Sequence, residues 1–174
     1  MIFNALSVVI RHLRHVTLIV AMCCVAQSAL ADCADAPAPG VDWRRCYQDG
    51  RSFAGRDLSG AQLRDASFGR ANLAGVNFAG ADAFNAKFYS ADLAGASFAG
   101  ARAADADFSD ADLQGVNFAK ADLRGAKLVA ADLRGADFSG ANLRGADLFR
   151  ARLGGALWTD GKTRCAAASL GQCD

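Results

Sequence analysis

Glutamate is missing from this chain, and histidine nearly so. All eighteen acidic residues are Asp, and the two histidines, His12 and His15, sit near the start. Glu and His supply most general bases, and His most catalytic zinc sites, so their scarcity removes the commonest routes to hydrolytic and metal chemistry. No G-x-S-x-G, Walker or G-x-G-x-x-G motif occurs, and nothing marks a Ser–Lys pair. The expectation is a protein that is not an enzyme and holds no cofactor. Long apolar runs are lacking too. Val16 to Ala26 is almost entirely apolar but well short of the ~20 residues that span a bilayer.

That short run has a different reading. Arg11 and Arg14 precede it, no acid appears before Asp32, and Ala29-Leu30-Ala31 follows it. A basic segment, an apolar stretch and an A-x-A triplet predict a secretory signal over residues 1–31, cleaved after Ala31. Met22, Cys23 and Asp32 precede Cys23, Cys24 and Cys33, where an acylated cysteine wants a small neighbour, so no lipid anchor is expected. Cleavage would leave 143 residues without histidine, carrying seventeen Lys and Arg against eighteen Asp, a net charge of −1. The expected location is the periplasm or the exterior, with no membrane anchor.

Cysteine is absent from the middle of the chain. Cys33 and Cys46 lie before residue 50, and Cys165 and Cys173 after residue 160. An exported chain with four cysteines reads as disulfide-bonded, and three pairings exist. Spacings of 13 and 8 offer no C-x-x-C metal site. If the residues between them form a rod, its ends lie too far apart for the ~6 Å Cα separation of a disulfide. Cys33–Cys46 and Cys165–Cys173 are therefore expected.

The middle of the chain is a repeat of period five. Of the 22 positions ending in 3 or 8 from 53 to 158, twenty are Leu, Phe or Trp; Ala83 and Ala103 are the others. Two places earlier, from 61 to 156, eighteen of twenty positions are Ala, with Val76 and Val116 completing the set. Asp, Asn or Ser usually precedes the large residue, Gly often stands second after it, and no insertion breaks the phase. A helix would smear this period around its surface, and a continuous strand would put the Gly position inside. A short extended segment ending in a turn fits, with two side chains inward and Gly at the corner. Four corners close a square of twenty residues.

The tandem A-(D/N)-(L/F)-X-X pattern resembles the pentapeptide-repeat family, and the flanks Asp42-Trp43 to Cys46 and Ala156 to Cys173 look like those of exported bacterial members. The resemblance implies an all-β fold, a right-handed quadrilateral β-helix. On that reading residues 1–31 are the signal, 32–50 an N-terminal cap, 51–159 the β-helix and 160–174 a C-terminal cap. Twenty-two pentads make about 5.5 coils, ~26 Å of rod at the sheet spacing.

Stacking every twentieth residue gives the faces. Leu58, Phe78, Phe98, Phe118, Phe138 and Trp158 form one interior column opposite Phe68, Phe88, Phe108, Leu128 and Leu148; two mainly Leu columns cross them. Ala83 and Ala103 are adjacent in a Leu column, predicting a void or a local inward shift. Outside, Ser67, Lys87, Asp107, Lys127, Asp147 and Asp82, Arg102, Asp122 predict cross-coil ion pairs worth under ~1 kcal/mol each. Asp92, Asp112 and Asp132 stack three like charges, which a cation or, more plainly, water and Arg134 would screen. Asp105, Asp107, Asp110 and Asp112 lack the glycine and terminal Glu of a calcium loop. Phe84, Tyr89 and Phe149 break the small-or-polar rule at outward positions and are the candidate partner contacts. The plainer alternatives are scattered surface apolar residues, or Phe84 turning in beside Ala83. A flat side of Ala79, Ala99, Ala119, Gly60, Gly80, Gly100 and Gly140, and the unpaired coil edges, leave self-association into a homo-oligomer open.

These features point to an exported structural or interaction scaffold with an unidentified protein partner. The resemblance also implies an alternative, because some cytosolic members mimic duplex DNA and bind DNA gyrase. Duplex DNA carries a charge per ~1.7 Å, so a rod this long would need on the order of fifteen net negatives. A net charge of −1 and an export signal argue against that reading, and against nucleic acid as a partner. A cation- or glycan-binding module built on the Asp column or the aromatics is a weaker third reading.

Overall fold

A computed structural model describes residues 33–174. The expected signal at 1–31, with its cleavage site and Cys23 and Cys24, lies outside the described residues. Among the described residues no helix is long and apolar enough to cross a membrane.

The described chain is a stack of four-sided coils. Every fifth residue makes a parallel β-bridge to the residue twenty further on, from Asp42–Gln62 to Asp137–Leu157. Each bridge is a single residue flanked by turns, so no longer strand forms among the described residues. A side is too short for one because its pentad must both pair and turn.

Three backbone bonds hold a typical side. Leu93 N–H donates to Asp112 O at 2.8 Å and Gly95 N–H to Gln114 O at 2.8 Å in the next coil, while Asp92 N–H donates to Ala71 O at 3.0 Å in the previous one. Each corner is a β-turn, as where Ala96 N–H meets Leu93 O at 2.9 Å. The residue before that donor has positive φ, which suits Gly95 (66°) but also holds at Asp65, Asn85, Asp105 and Ala130 (54–59°). The Asp or Asn before each large residue has a local task. Its Oδ1 accepts from the backbone N–H two residues on, at 2.8–3.4 Å, in pentads such as Asp82–Phe84, Asn117–Ala119 and Asp137–Ser139. This Asx turn presets the corner.

The interior is filled by the columns. Phe68, Phe88 and Phe108 stack with centroids 5.3 and 5.0 Å apart, nearly parallel. Phe78, Phe98, Phe118 and Phe138 rise opposite them, and neighbours across the square meet edge-on, as Phe98 and Phe108 do at 5.5 Å. Ala83 and Ala103 are fully buried, and no inward shift breaks the ladder: their N–H groups donate to Arg102 O and Asp122 O at 2.8 Å, as elsewhere.

Pairing starts before the repeat becomes legible. Asp42 and Tyr47 bridge to Gln62 and Ser67, within the segment expected as a cap. Trp43 and Gln48 occupy the large-residue positions and are fully buried, with Cys46 in the Ala position. Trp43 packs on Phe53 at 5.2 Å and Phe68 at 6.2 Å. Gln48 is satisfied by Arg51 and by Cys33 O, to which its Nε2 donates at 3.0 Å. Cys33 is bonded to Cys46, with Cα atoms 5.4 Å apart. At the other end Cys165 is bonded to Cys173, with Cα atoms 4.7 Å apart, and the chain doubles back on the last coil through antiparallel bridges Arg152–Leu170 and Leu157–Arg164. Gly154 is required there, since a Cβ would sit 2.6 Å from Ala167 O.

Candidate functional site

The three outward aromatics do not form one surface. Phe84 lies half-buried under Arg64, whose guanidinium carbon is 4.8 Å from the ring centre. Arg64 is itself held by Asp82 at 3.2 Å, so Phe84 neither turns inward nor stands free. Tyr89 folds down over Gly69, where a Cβ would meet its ring at 2.2 Å. Its hydroxyl donates to Asp49 at 3.2 Å, two coils below, and Arg70 lies 5.9 Å from its ring centre. Asp49 also accepts from Ser67 Oγ at 2.6 Å and Gly69 N–H at 2.8 Å. Burial pushes the Asp49 carboxyl upward, but these three bonds and the Arg70 charge outweigh it, and its pKa is lowered. Tyr89 thus serves an internal network.

Phe149 remains outward, 65% exposed, and two large apolar residues that sequence reasoning passed over join it on the surface: Tyr47 at 83% and Leu170 at 57%. Tyr47 was legible in principle, because its number ends in 7 and the five-residue period extends back to it.

Of the two expected charge ladders, that of Asp82, Arg102 and Asp122 forms in part, Arg102 pairing with Asp82 at 3.6 Å, and the other does not form. Among the described residues, Lys87, Asp107, Lys127 and Asp147 make no ion pair. Arginines instead reach back two residues to the turn-forming Asp: Arg44 to Asp42 at 2.6 Å, Arg124 to Asp122 at 2.7 Å and Arg134 to Asp132 at 2.6 Å. Positions two apart flank one corner, which brings each Arg over its own Asp, while Lys87 and Lys127 stay exposed. Cross-coil pairs form at Asp82, which takes Arg64 and Arg102 (3.6 Å), and at Asp132, which takes Arg152 at 3.3 Å.

The Asp92, Asp112 and Asp132 column is therefore held by protein groups. Asp92 accepts from Ala94 N–H at 3.1 Å, and Asp112 from Gln114 N–H at 3.0 Å and Gln114 Nε2 at 3.2 Å. The forked bond from Arg134, aided by its backbone N–H and by Arg152, outweighs burial and holds the Asp132 pKa below its ordinary value. Among the described residues no group of three or more His, Cys, Asp or Glu is placed to hold a metal ion.

The C-terminal edge is covered unevenly. The returning chain bonds one half: Leu153 N–H to Ser169 O and Gly155 N–H to Cys165 O at 3.0 Å, and Trp158 N–H to Thr163 O at 2.7 Å. Over the other half, the N–H groups of Leu143, Gly145 and Leu148 and the carbonyls of Ala141 and Ala146 have no hydrogen-bond partner among the described residues. Leu143, Ala146 and Leu148 are only half-buried, while Leu123, Ala126 and Leu128, one coil below, are fully buried. Phe149 flanks this open half.

A twenty-residue register built from five-residue units, with a continuous core and every corner alike, defines a repeat solenoid. The family described as pentapeptide repeats matches eight copies, over residues 57–93, 91–128 and 117–155, and the chain belongs to that family. Its members form right-handed β-helices. Similar solved structures include a pentapeptide repeat protein of the Arabidopsis thaliana thylakoid lumen, 25% identical over 75% of this chain and 85% of that one, with a TM-score of 0.42. They also include QnrB1, a plasmid-mediated fluoroquinolone resistance protein, 25% identical over 68% of this chain and 66% of that one, TM-score 0.40. HetL, involved in heterocyst differentiation regulation in Nostoc sp. PCC 7120, is 27% identical over 70% of this chain and 67% of that one, TM-score 0.29. No curated protein matches.

Proposed function

We propose that this chain is a non-enzymatic, exported interaction scaffold of the pentapeptide-repeat family, whose rod presents a rigid surface to a protein partner. Its repeat-pure part is about 5.5 coils, and the two disulfide-bonded flanks serve as end caps. The observation that carries the reading is the division of labour between inside and outside. Interior positions from Leu58 to Phe138 are filled by fully buried apolar side chains, and the outer Asp and Asn residues are occupied in turns and ion pairs. Large apolar side chains stand exposed only at a few places among the described residues, Tyr47, Phe149 and Leu170, which gives a partner somewhere to bind.

Export is supported by the basic segment, short apolar run and A-x-A triplet ahead of Asp32. It also suits the two disulfides, which persist in oxidising compartments.

The test is crosslinking in living cells of the source organism, with photoreactive residues at Tyr47 and Phe149, followed by fractionation. The reading expects a discrete crosslinked protein in the exported fraction, on a chain whose N-terminus begins near Asp32. A chain retained in the cytosol with an intact N-terminus would remove the compartment. Uncrosslinked chain at both positions, with crosslinking from other faces also empty, would remove the partner.

A further inference from the structure

We propose that the open half of the C-terminal edge, from Ala141 to Phe149, is a docking site for an acidic peptide segment of another protein, which pairs in β-fashion with each of the two sides and bends with the corner between them. This rests on the scaffold reading and names the chemistry of the partner.

The covered half shows how such a segment is held. There the chain's own return pairs antiparallel, receiving bonds from Leu153 and Trp158 N–H and donating from Gly171 N–H to Ala151 O at 2.8 Å and from Cys165 N–H to Ala156 O at 2.9 Å. The same alternation of donors and acceptors recurs on the open half. Leu143 and Leu148 N–H stand where Leu153 and Trp158 N–H stand, and Ala141 and Ala146 O where Ala151 and Ala156 O stand, with no partner among the described residues. An exposed edge of this kind is a template for β-augmentation. Its side chains ask for apolar cover, because Leu143, Ala146 and Leu148 are half-buried where their equivalents one coil below are sealed.

Charge selects the occupant. Arg144 and Arg150 are exposed at the rim and make no ion pair among the described residues, unlike Arg124, Arg134 and Arg152 nearby. Asp147 is the acid between them, and it is engaged by Phe149 N–H at 2.9 Å. Two unpaired guanidiniums flanking a row of backbone N–H groups favour carboxylates. A second copy laid edge to edge would bring Arg144 and Arg150 against their own equivalents, which like-charge repulsion opposes.

The probe is a synthetic peptide alternating valine with aspartate, blocked at both ends. It is compared with a twin N-methylated at alternate amides and with a lysine-for-aspartate version. Amide exchange of the purified protein is followed residue by residue, with peptide binding read by fluorescence anisotropy. The expected result is rapid exchange at Leu143, Gly145 and Leu148 in the free protein, slowed by the acidic peptide and unaffected by the N-methylated twin. Arg144→Glu with Arg150→Glu should weaken the acidic peptide by about tenfold and favour the lysine version, with an unchanged melting temperature. Equal binding of the N-methylated twin would overturn β-pairing. Absence of saturable binding by the acidic peptide would overturn the site. Slow exchange in the free protein would also overturn it, naming a second copy if it grows with concentration and the chain's own residues if it does not. In these cases the scaffold reading stands if crosslinks at Tyr47 or another side face still capture a partner, and falls only if they are empty as well.

Discussion

At the scale of single residues, the corners decide what the sequence tolerates. Sixteen of the positive-φ residues are Gly, but Arg45, Asp65, Arg70, Asn85, Ser90, Asp105, Asp110, Lys120, Ala130 and Arg150 adopt the same conformation with a Cβ present. The left-handed region costs a non-glycine residue roughly 1–2 kcal/mol, less for Asn and Asp. Ala130, at φ 56°, has neither a side-chain hydrogen bond nor glycine's freedom to offset that cost. Ala130→Gly should therefore raise stability by up to ~1 kcal/mol in chemical denaturation, although glycine usually weakens regular structure. The turn at Asp160 offers a pH signal at the same scale. Hydrogen bonds from the Thr163 hydroxyl and backbone, then from Lys162 N–H, lower its pKa from 3.8 to about 2. A depressed carboxylate stabilises the fold above its unfolded value and loses that contribution as pH falls through the folded one. Titration by NMR should place the Asp160 midpoint near 2, with the 160–163 turn loosening between pH 3.8 and about 2 and unchanged above.

At the scale of elements, the phenylalanine columns and the flanks carry separable burdens. Phe98 stacks on Phe78 at 4.7 Å and meets Phe88 and Phe108 edge-on at 5.5 Å, so its loss opens a cavity with rigid aromatic walls. Phe98→Ala should cost ~3–5 kcal/mol in denaturant unfolding, while Phe98→Leu, which the neighbouring columns already use, should cost markedly less. The Cys165–Cys173 bond pins a short return rather than the rod. Cys165→Ser with Cys173→Ser should cost at most ~3 kcal/mol and act locally. Amide exchange should quicken at Leu153 and Gly155, whose partners are Ser169 and Cys165, and stay slow at Leu93 and Gly95 in the middle of the stack.

At the scale of the whole molecule, the repeat was legible because burial is legible. Positions facing the interior admit only Leu, Phe, Trp, Ala or Val, so period five reads directly off the chain from Phe53 to Trp158. What escaped reading lies where the same geometry is met by unusual chemistry. Gln48 fills an interior position with polar atoms and is satisfied by Arg51 and Cys33 O, neither of which stands beside it in sequence. Cys46 replaces the small Ala, so the first pentads pass for a flank. Tyr89 looked like a free anchor because the gap that receives it, Gly69, lies twenty residues away and its partner Asp49 forty. The lysine and aspartate column aligned in register without ion-pairing, and its Asp residues were already committed to their own corners. The candidate edge was the least legible feature, since it depends on where the returning chain stops covering the last coil.

All of this stands on a coil of twenty residues, and one crosslink tests it most directly. Asn77 and Ser97 are bridged neighbours in successive coils, both outward-facing. Paired residues on stacked strands lie ~4.8 Å apart, within the range a disulfide spans. Asn77→Cys with Ser97→Cys should oxidise to an intramolecular bond in the folded protein, detected by mass spectrometry. Asn77→Cys with Asp92→Cys, offset by one side of the square, should not. Bonding of the second pair in preference to the first would contradict the twenty-residue coil and everything argued from it.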